Sequence, residues 1–297
     1  YYDKLTDPLL AAVSVPSSVG SKRVMTNVGS QRTQGVSGTV KYSPVYHPEE
    51  RINWTLSASF KHQKAKYEDI GNSLDQFNKE NLNTSLVRYY DGGSPTALWA
   101  VRSLGINPSD GRELFLTKEG TYTFEYDTED EVVVGNSEPK LEGVLGSTLY
   151  WKGFSFSLYF RYSLGADVFT EATYNKVENI SLAGLKSNQD KRALHDRWQK
   201  PGDKVRFAAF SEDSQGINIG YRTKPTSRFV EDYNYLELAT LNFSYEFGTA
   251  KLKRYGIKRL KAMFYMNDVF HASNVKQERG IDYPFARNFS IGLQARF

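Results

Sequence analysis

The sequence predicts an all-β fold, a transmembrane antiparallel β-barrel segment of about eight strands, and three observations carry that expectation. The first is strict alternation at the end of the chain. Phe289, Ile291, Leu293, Ala295 and Phe297 share one side of an extended segment, and Ser290, Gly292, Gln294 and Arg296 share the other. The second is recurrence of this two-faced pattern upstream. The third is an alternation of short and long connections, which outer-membrane barrels show and soluble sandwiches seldom keep.

Composition narrows the class. The chain has 297 residues, a formal net charge of +4 and 39% hydrophobic residues, so it lacks the basic excess that a nucleic-acid partner demands. Aromatic residues make up 14%, with 20 Tyr and 18 Phe, which suits a surface part in lipid and part in water. Mean hydropathy is -0.55, and no apolar run approaches the ~18 residues of a spanning helix. There is no cysteine, which excludes disulfides and Cys-ligated metal. The opening Tyr1-Tyr2-Asp3-Lys4 has neither basic region nor apolar stretch of a signal peptide and reads as a mature fragment or part of a longer polypeptide.

Taken in order, Tyr1 to Val15 is strand-like but broken at Asp7-Pro8, and Pro16 to Ser21 reads as a turn. Asn27 to Tyr42 returns to strand, with Val36, Gly38, Val40 and Tyr42 on one face. Pro44 to Glu50 reads as a short turn. Ile52, Trp54, Leu56, Ala58 and Phe60 alternate with polar residues over the roughly 9–11 residues of a tilted barrel strand. Lys64 to Gly135 is long, polar and irregular. Leu141, Leu145, Leu149 and Trp151 line one side of the next strand, Lys152-Gly153 makes a tight turn, and Phe154, Phe156, Leu158, Phe160, Tyr162 and Leu164 line its hairpin partner.

Thr170 to Ser227 is a second long polar stretch. Ala239, Leu241, Phe243, Tyr245 and Phe247 alternate, Thr249 to Gly256 is a basic turn, and Leu260, Ala262, Phe264 and Met266 form another apolar face. His271 to Pro284 reads as a loop before the last strand. This arrangement puts both termini at the periplasmic end and both long stretches outside the cell.

Chemistry-bearing patterns are few. The four histidines, His47, His62, His195 and His271, have no metal-ligand spacing, and His195-Asp196 lacks a nucleophile elbow. The acidic run Asp127 to Glu131 lacks calcium-loop spacing and reads as a solvated face. Catalytic residue, metal and cofactor are therefore all assigned as none. Tyr89, Tyr90, Trp99 and Trp198 stand in the long stretches, where aromatic rings can stack on a ligand or simply pack. Phe297 is the candidate barrel-assembly residue at the C-terminus.

Several stretches resemble the C-terminal part of SusC/RagA-type TonB-dependent transporters of Bacteroidetes. They are Asn27-Val28-Gly29-Ser30 with Gly35-Val36, Leu104-Gly105-Ile106-Asn107-Pro108 to Gly111, and Gly135 to Lys140. Arg197-Trp198-Gln199-Lys200-Pro201-Gly202-Asp203, Ser227 to Asp232 with Tyr235-Leu236, Asn267 to Phe270, and Arg287 to Phe297 complete the set. Two residues depart from the pattern: Glu237 replaces an expected basic residue, and Asp268 stands where Leu often follows the Asn.

The resemblance implies that residues 1–297 supply the last eight or so strands of a 22-stranded barrel, with plug and TonB box absent. It implies import of a glycan or peptide across the outer membrane, a SusD-like surface lipoprotein as lid, and coupling to the TonB complex. Outer-membrane lipid is the surrounding partner and nucleic acid is not one. Two other readings compete: a self-standing small barrel acting as adhesin or structural protein, and a soluble binding domain whose apolar face is a core. Lys61, Arg161, Glu246 and Arg296 on the polar face suit a wide wet wall better than a small packed barrel.

Overall fold

The computed structural model describes residues 1–14, 20, 23–71, 74–83, 85–180, 184–210, 212–213, 216–217, 222–248, 252, 254, 256–276 and 286–297. Its main sheet has eight antiparallel strands: β1 (Tyr2–Thr6), β2 (Ser30–His47), β3 (Ile52–Glu68), β4 (Leu141–Trp151), β5 (Phe154–Phe169), β6 (Val230–Phe247), β7 (Arg259–Ser273) and β8 (Phe289–Arg296). Each strand pairs with its sequence neighbours, so the sheet is an up-and-down wall. β1 and β8 form its two edges and do not pair with each other.

Register places the expected apolar residues side by side. Trp54 lies opposite Leu149, Leu149 opposite Phe156, Phe156 opposite Phe243, Phe243 opposite Phe264 and Phe264 opposite Ile291. This face is exposed rather than a core: Tyr42 is 66% and Leu293 75% accessible. A soluble domain would cover such a continuous apolar surface. From Phe154 to Leu164, ten steps of about 3.4 Å tilted by ~40° span roughly 26 Å, close to the ~25 Å apolar band of a membrane barrel. At the turn end the rings of Trp151, Phe154, Tyr245 and Phe247 follow one another at centroid distances of 5.9, 4.4 and 4.9 Å, an aromatic collar.

Turns follow local chemistry. Trp151 pairs with Phe154, leaving the two-residue loop Lys152-Gly153, with φ of 47° and 102° at its two positions. Positive φ at both fits the twist of the flanking strands. Within the wall, the Phe60 ring covers Gly38, and the Tyr162 hydroxyl lies over Gly143 and donates to Ser59 O at 3.0 Å. Aromatic cover of a glycine on the neighbouring strand restores side-chain packing that the glycine lacks.

The structure corrects several expectations. Pro44 lies within β2, not in a turn, because a register shift between Tyr42 and Val45 relieves it of a ladder donor. The turn is Pro48–Glu50, closed by Arg51 at φ 57°. Ala239 is skipped in the pairing, so Leu238 rather than Ala239 continues the apolar face opposite Phe160. β7 runs to Ser273, taking in the start of the expected His271–Pro284 loop. The expected turns at Pro16–Ser21 and Thr249–Gly256, and the later part of that loop, fall wholly or largely outside the described residues. Tyr2 pairs with Gly35 partway along β2, and β1 runs toward the long-loop end, so Tyr1 is not at the short-turn end.

The long stretches are not irregular throughout. Leu10–Ser14 and Arg23–Asn27 form a hairpin. Between β3 and β4 lie a helix, α1 (Asp75–Glu80), and a four-stranded sheet ordered Tyr122–Thr123, Glu113–Leu116, Ala97–Ile106, Glu131–Asn136. Ala97, Leu98, Ala100 and Val101 are all buried, so this strand carries no period-two signal. Between β5 and β6 lie a π-helical turn, Thr173–Glu178, and a short helix, α2 (Arg192–His195).

Facing is testable within one strand. Leu158→Arg, midway along β5 on the apolar face, should destabilise the protein folded in lipid vesicles by ~2–4 kcal/mol, whereas Ser157→Arg on the polar face should cost far less. Equal losses in folded yield would contradict the register.

Candidate ligand-facing loops

The two long loops, residues 69–140 and 170–229, are tied into one body at the end of the wall remote from the short turns. Arg228 Nη2 bonds Glu113 Oε2 from the first loop at 2.8 Å and Glu178 Oε1 from the second at 2.9 Å. Thr226 Oγ1 donates to Glu113 at 2.8 Å, and Thr223 Oγ1 to Glu178 at 2.9 Å. All three charged side chains are nearly buried. Burial alone would lower the guanidinium pKa, but its bonds to Glu113 and Glu178 outweigh this and hold it above the ordinary value. Alongside, Val101 bridges Thr226, Ser103 N–H donates to Ser227 Oγ at 2.9 Å, and Phe229 packs with Tyr174, Val177 and Phe207.

A second buried pair shapes the first loop. Arg88 Nε and Nη2 each donate to Glu131 at 2.9 Å, and Arg88 Nη1 reaches Ser85 O and Val87 O. Burial pushes the Glu131 carboxyl up, against the pull of Arg88. The acidic run therefore has one buried structural member. Among the described residues no group of three or more His, Cys, Asp or Glu is placed to hold a metal.

The four aromatic candidates separate into two kinds. Tyr89 packs against Tyr67 and Phe77 at 5.4 and 5.5 Å, and its backbone is gripped by the Asn78 side chain, which accepts from Tyr89 N at 3.0 Å. Trp198 donates Nε1–H to Pro108 O at 2.9 Å and covers Gly111, where an added Cβ would meet its ring at 2.6 Å. Tyr89 thus packs the first loop against β3, and Trp198 ties the second loop to the first. Tyr90 and Trp99 instead sit 5.3 Å apart beside a cavity of about 660 Å3, with Lys118, Glu119 and Glu129 around it. Of the four candidates, these two rings are the ones that the fold places together beside a cavity.

On the polar face of the wall, charges of opposite sign pair across strands. Lys61 Nζ is 2.9 Å from Glu142, Arg161 3.9 Å from Glu237, and His271 3.5 Å from Glu237. Tyr233 Oη lies 3.2 Å from His271 Nε2. Glu237 is thus acidic because it sits between two cationic or potentially cationic neighbours. Asp268, the other departure from the expected pattern, has φ 48° at the irregular step opposite Leu238–Thr240, a conformation Asp tolerates better than Leu. Phe297 stands exposed just beyond β8.

No protein-family model matches the chain. Two curated relatives from Formosa agariphila are TonB-dependent receptor P39, 22% identical over 100% of this chain and 33% of the relative, and TonB-dependent receptor P26, 26% identical over 87% and 26%. The RagAB peptide transporter superposes with a TM-score of 0.74 at 18% identity, covering 99% of this chain and 32% of that one. The chain is thus similar to TonB-dependent receptors and shares the fold of the RagAB barrel. It spans about a third of the length of the relatives it matches. As an outer-membrane barrel segment, the wall turns its apolar face to lipid and its charged face inward.

Sequence reasoning gave no role to Glu113, Glu178, Arg197 or Arg228. Arg197 and Arg228 stand in stretches that carry the resemblance, but no motif joins residues so far apart, and for Glu113 and Glu178 no sign was available. Removing the Arg228 charge tests the node. Arg228→Met should leave two buried carboxylates facing each other, loosen the loops by about 3–5 kcal/mol, and expose 170–229 to limited proteolysis while the wall stays folded. Tyr90→Ala should leave the proteolytic pattern unchanged. Identical patterns for native protein and Arg228→Met would contradict this account.

Proposed function

We propose that residues 1–297 are the C-terminal part of a SusC-like importer, supplying eight strands of a 22-stranded barrel that carries a glycan or peptide inward across the outer membrane. On this reading the interlocked loops are extracellular and meet a SusD-like lipoprotein lid. The rest of the polypeptide brings the plug and the TonB-contacting segment. Tyr90 and Trp99 contact substrate or lid, and Phe297 serves barrel assembly. The role is transport rather than catalysis, in keeping with the receptors and transporter that the chain resembles.

The observation that carries this proposal is the open wall: eight strands with a lipid-compatible outer face and two strand edges not paired with each other. Unpaired backbone groups in hydrocarbon cost several kcal/mol each, so the edges need neighbouring strands. The greater length of the relatives supplies a source for them. The RagAB likeness supports a peptide cargo and a two-component assembly, while both curated relatives support TonB dependence.

Native purification from outer membranes should recover these residues within a longer barrel together with a surface lipoprotein, and uptake of the cargo should stop when TonB is deleted. A 297-residue chain that refolds alone in detergent as a heat-modifiable, protease-resistant monomer would favour the small-barrel adhesin and overturn the importer.

A further inference from the structure

A cavity of about 380 Å3 opens between the two interlocked loops, away from Tyr90 and Trp99. Its volume lies within the roughly 300–1,000 Å3 of small-ligand sites. Arg112, Phe124, Tyr126, Arg197, Phe210 and Lys224 line it. Arg197 is only 4% exposed, yet among the described residues it makes no ion pair. Its charge is met by main-chain oxygens: Nε donates to Ala193 O at 3.1 Å, Nη1 to Ala208 O at 2.7 Å, and Nη2 to Val177 O and Glu178 O. Nη1 carries two hydrogens and meets this one acceptor, so a donor remains for the cavity.

The carboxylates nearest to it are already committed. Glu113 and Glu178 both face Arg228, and Asp110 is closed on Arg112. Lys224 is exposed at the cavity and has no ion pair among the described residues. Counting Arg112, Arg197, Lys224 and Arg228 against Asp110, Glu113 and Glu178 leaves one positive charge over. Burial lowers the Arg197 pKa, the mark of a cation held without a carboxylate of its own. Two of the guanidinium groups lie over rings: Arg197 sits 4.2 Å from the Phe210 centroid and Arg112 4.3 Å from that of Phe124. Stacking of this kind fixes the plane in which a carboxylate would be met.

We propose that this cavity binds an acidic peptide, its carboxylate held by Arg197, Arg112 and Lys224 and a neighbouring apolar side chain lodged among Phe124, Tyr126 and Phe210. A sugar acid fits less well, because its hydroxyls need acceptors and the cavity carboxylates are already occupied by arginines. The site deepens the import reading, on which it rests for delivery of ligand from the loop side.

The test uses the intact importer complex and calorimetric titration with three probes: N-acetyl-Phe-Glu, the uncharged N-acetyl-Phe-Gln amide, and a uronic acid disaccharide. N-acetyl-Phe-Glu should bind, and Lys224→Glu and Arg112→Gln, both exposed enough to leave folding intact, should each weaken it about tenfold or more. The uncharged peptide should bind at least about tenfold more weakly than the acidic one. Binding of both peptides alike, tighter binding of the disaccharide, or indifference to Lys224→Glu would overturn the proposal. Uptake in cells separates the two readings. Binding without TonB-dependent uptake would sink import and leave the site standing; uptake with no binding at this cavity would do the reverse.

Discussion

Inside a hydrocarbon layer a backbone N–H or C=O has no water to turn to, and this constraint fixes the register of the wall. Every strand is paired along its length to a neighbour, and the side-chain period of two then assigns each residue to lipid or lumen. The irregular positions obey the same constraint. Pro44, which has no donor to offer, sits at a register shift. Ala239 drops out of the ladder between Leu238 and Thr240, and Asp268 takes a left-handed conformation on the facing strand. These adjustments keep Leu238 and Leu241 on the same apolar face although three positions separate them.

Above the wall the solvent changes and so does the kind of interaction that holds the chain. The loops are joined by buried charge where Arg228 meets Glu113 as well as Glu178, and the first loop is held within itself by Arg88 with Glu131. Such pairs contribute little net stability over an apolar substitute, but losing one partner is costly. The Arg228 node therefore fixes how the two loops meet, and the Arg88 pair fixes the shape of the first. The result is a rigid mount for two cavities of different character, one aromatic with an acidic rim and one with exposed and buried cations.

The wall was legible in the sequence and the mount was not, for physical reasons. Phe154 to Leu164 alternates because one face meets lipid and the other water. Ala97 to Val101 does not alternate, because both faces are buried, so a polar stretch concealed a sheet. Of the aromatic residues, composition marks all four equally. Only tertiary context separates Tyr89 and Trp198, held in packing and hydrogen bonds, from Tyr90 and Trp99 beside a cavity. The residues that depart from the SusC/RagA pattern, Glu237 and Asp268, have local structural causes.

The central claim is that the alternating face of this wall lies against lipid. The chain has no cysteine, so single cysteines can be placed and spin-labelled one at a time from Phe154 to Leu164 in the protein reconstituted in bilayers. Collision with dissolved oxygen, which concentrates in lipid, should rise at Phe154, Phe156, Leu158, Phe160, Tyr162 and Leu164, and collision with a water-soluble nickel chelate should rise at the residues between them. A profile without a period of two, or one with the two phases exchanged, would contradict the account.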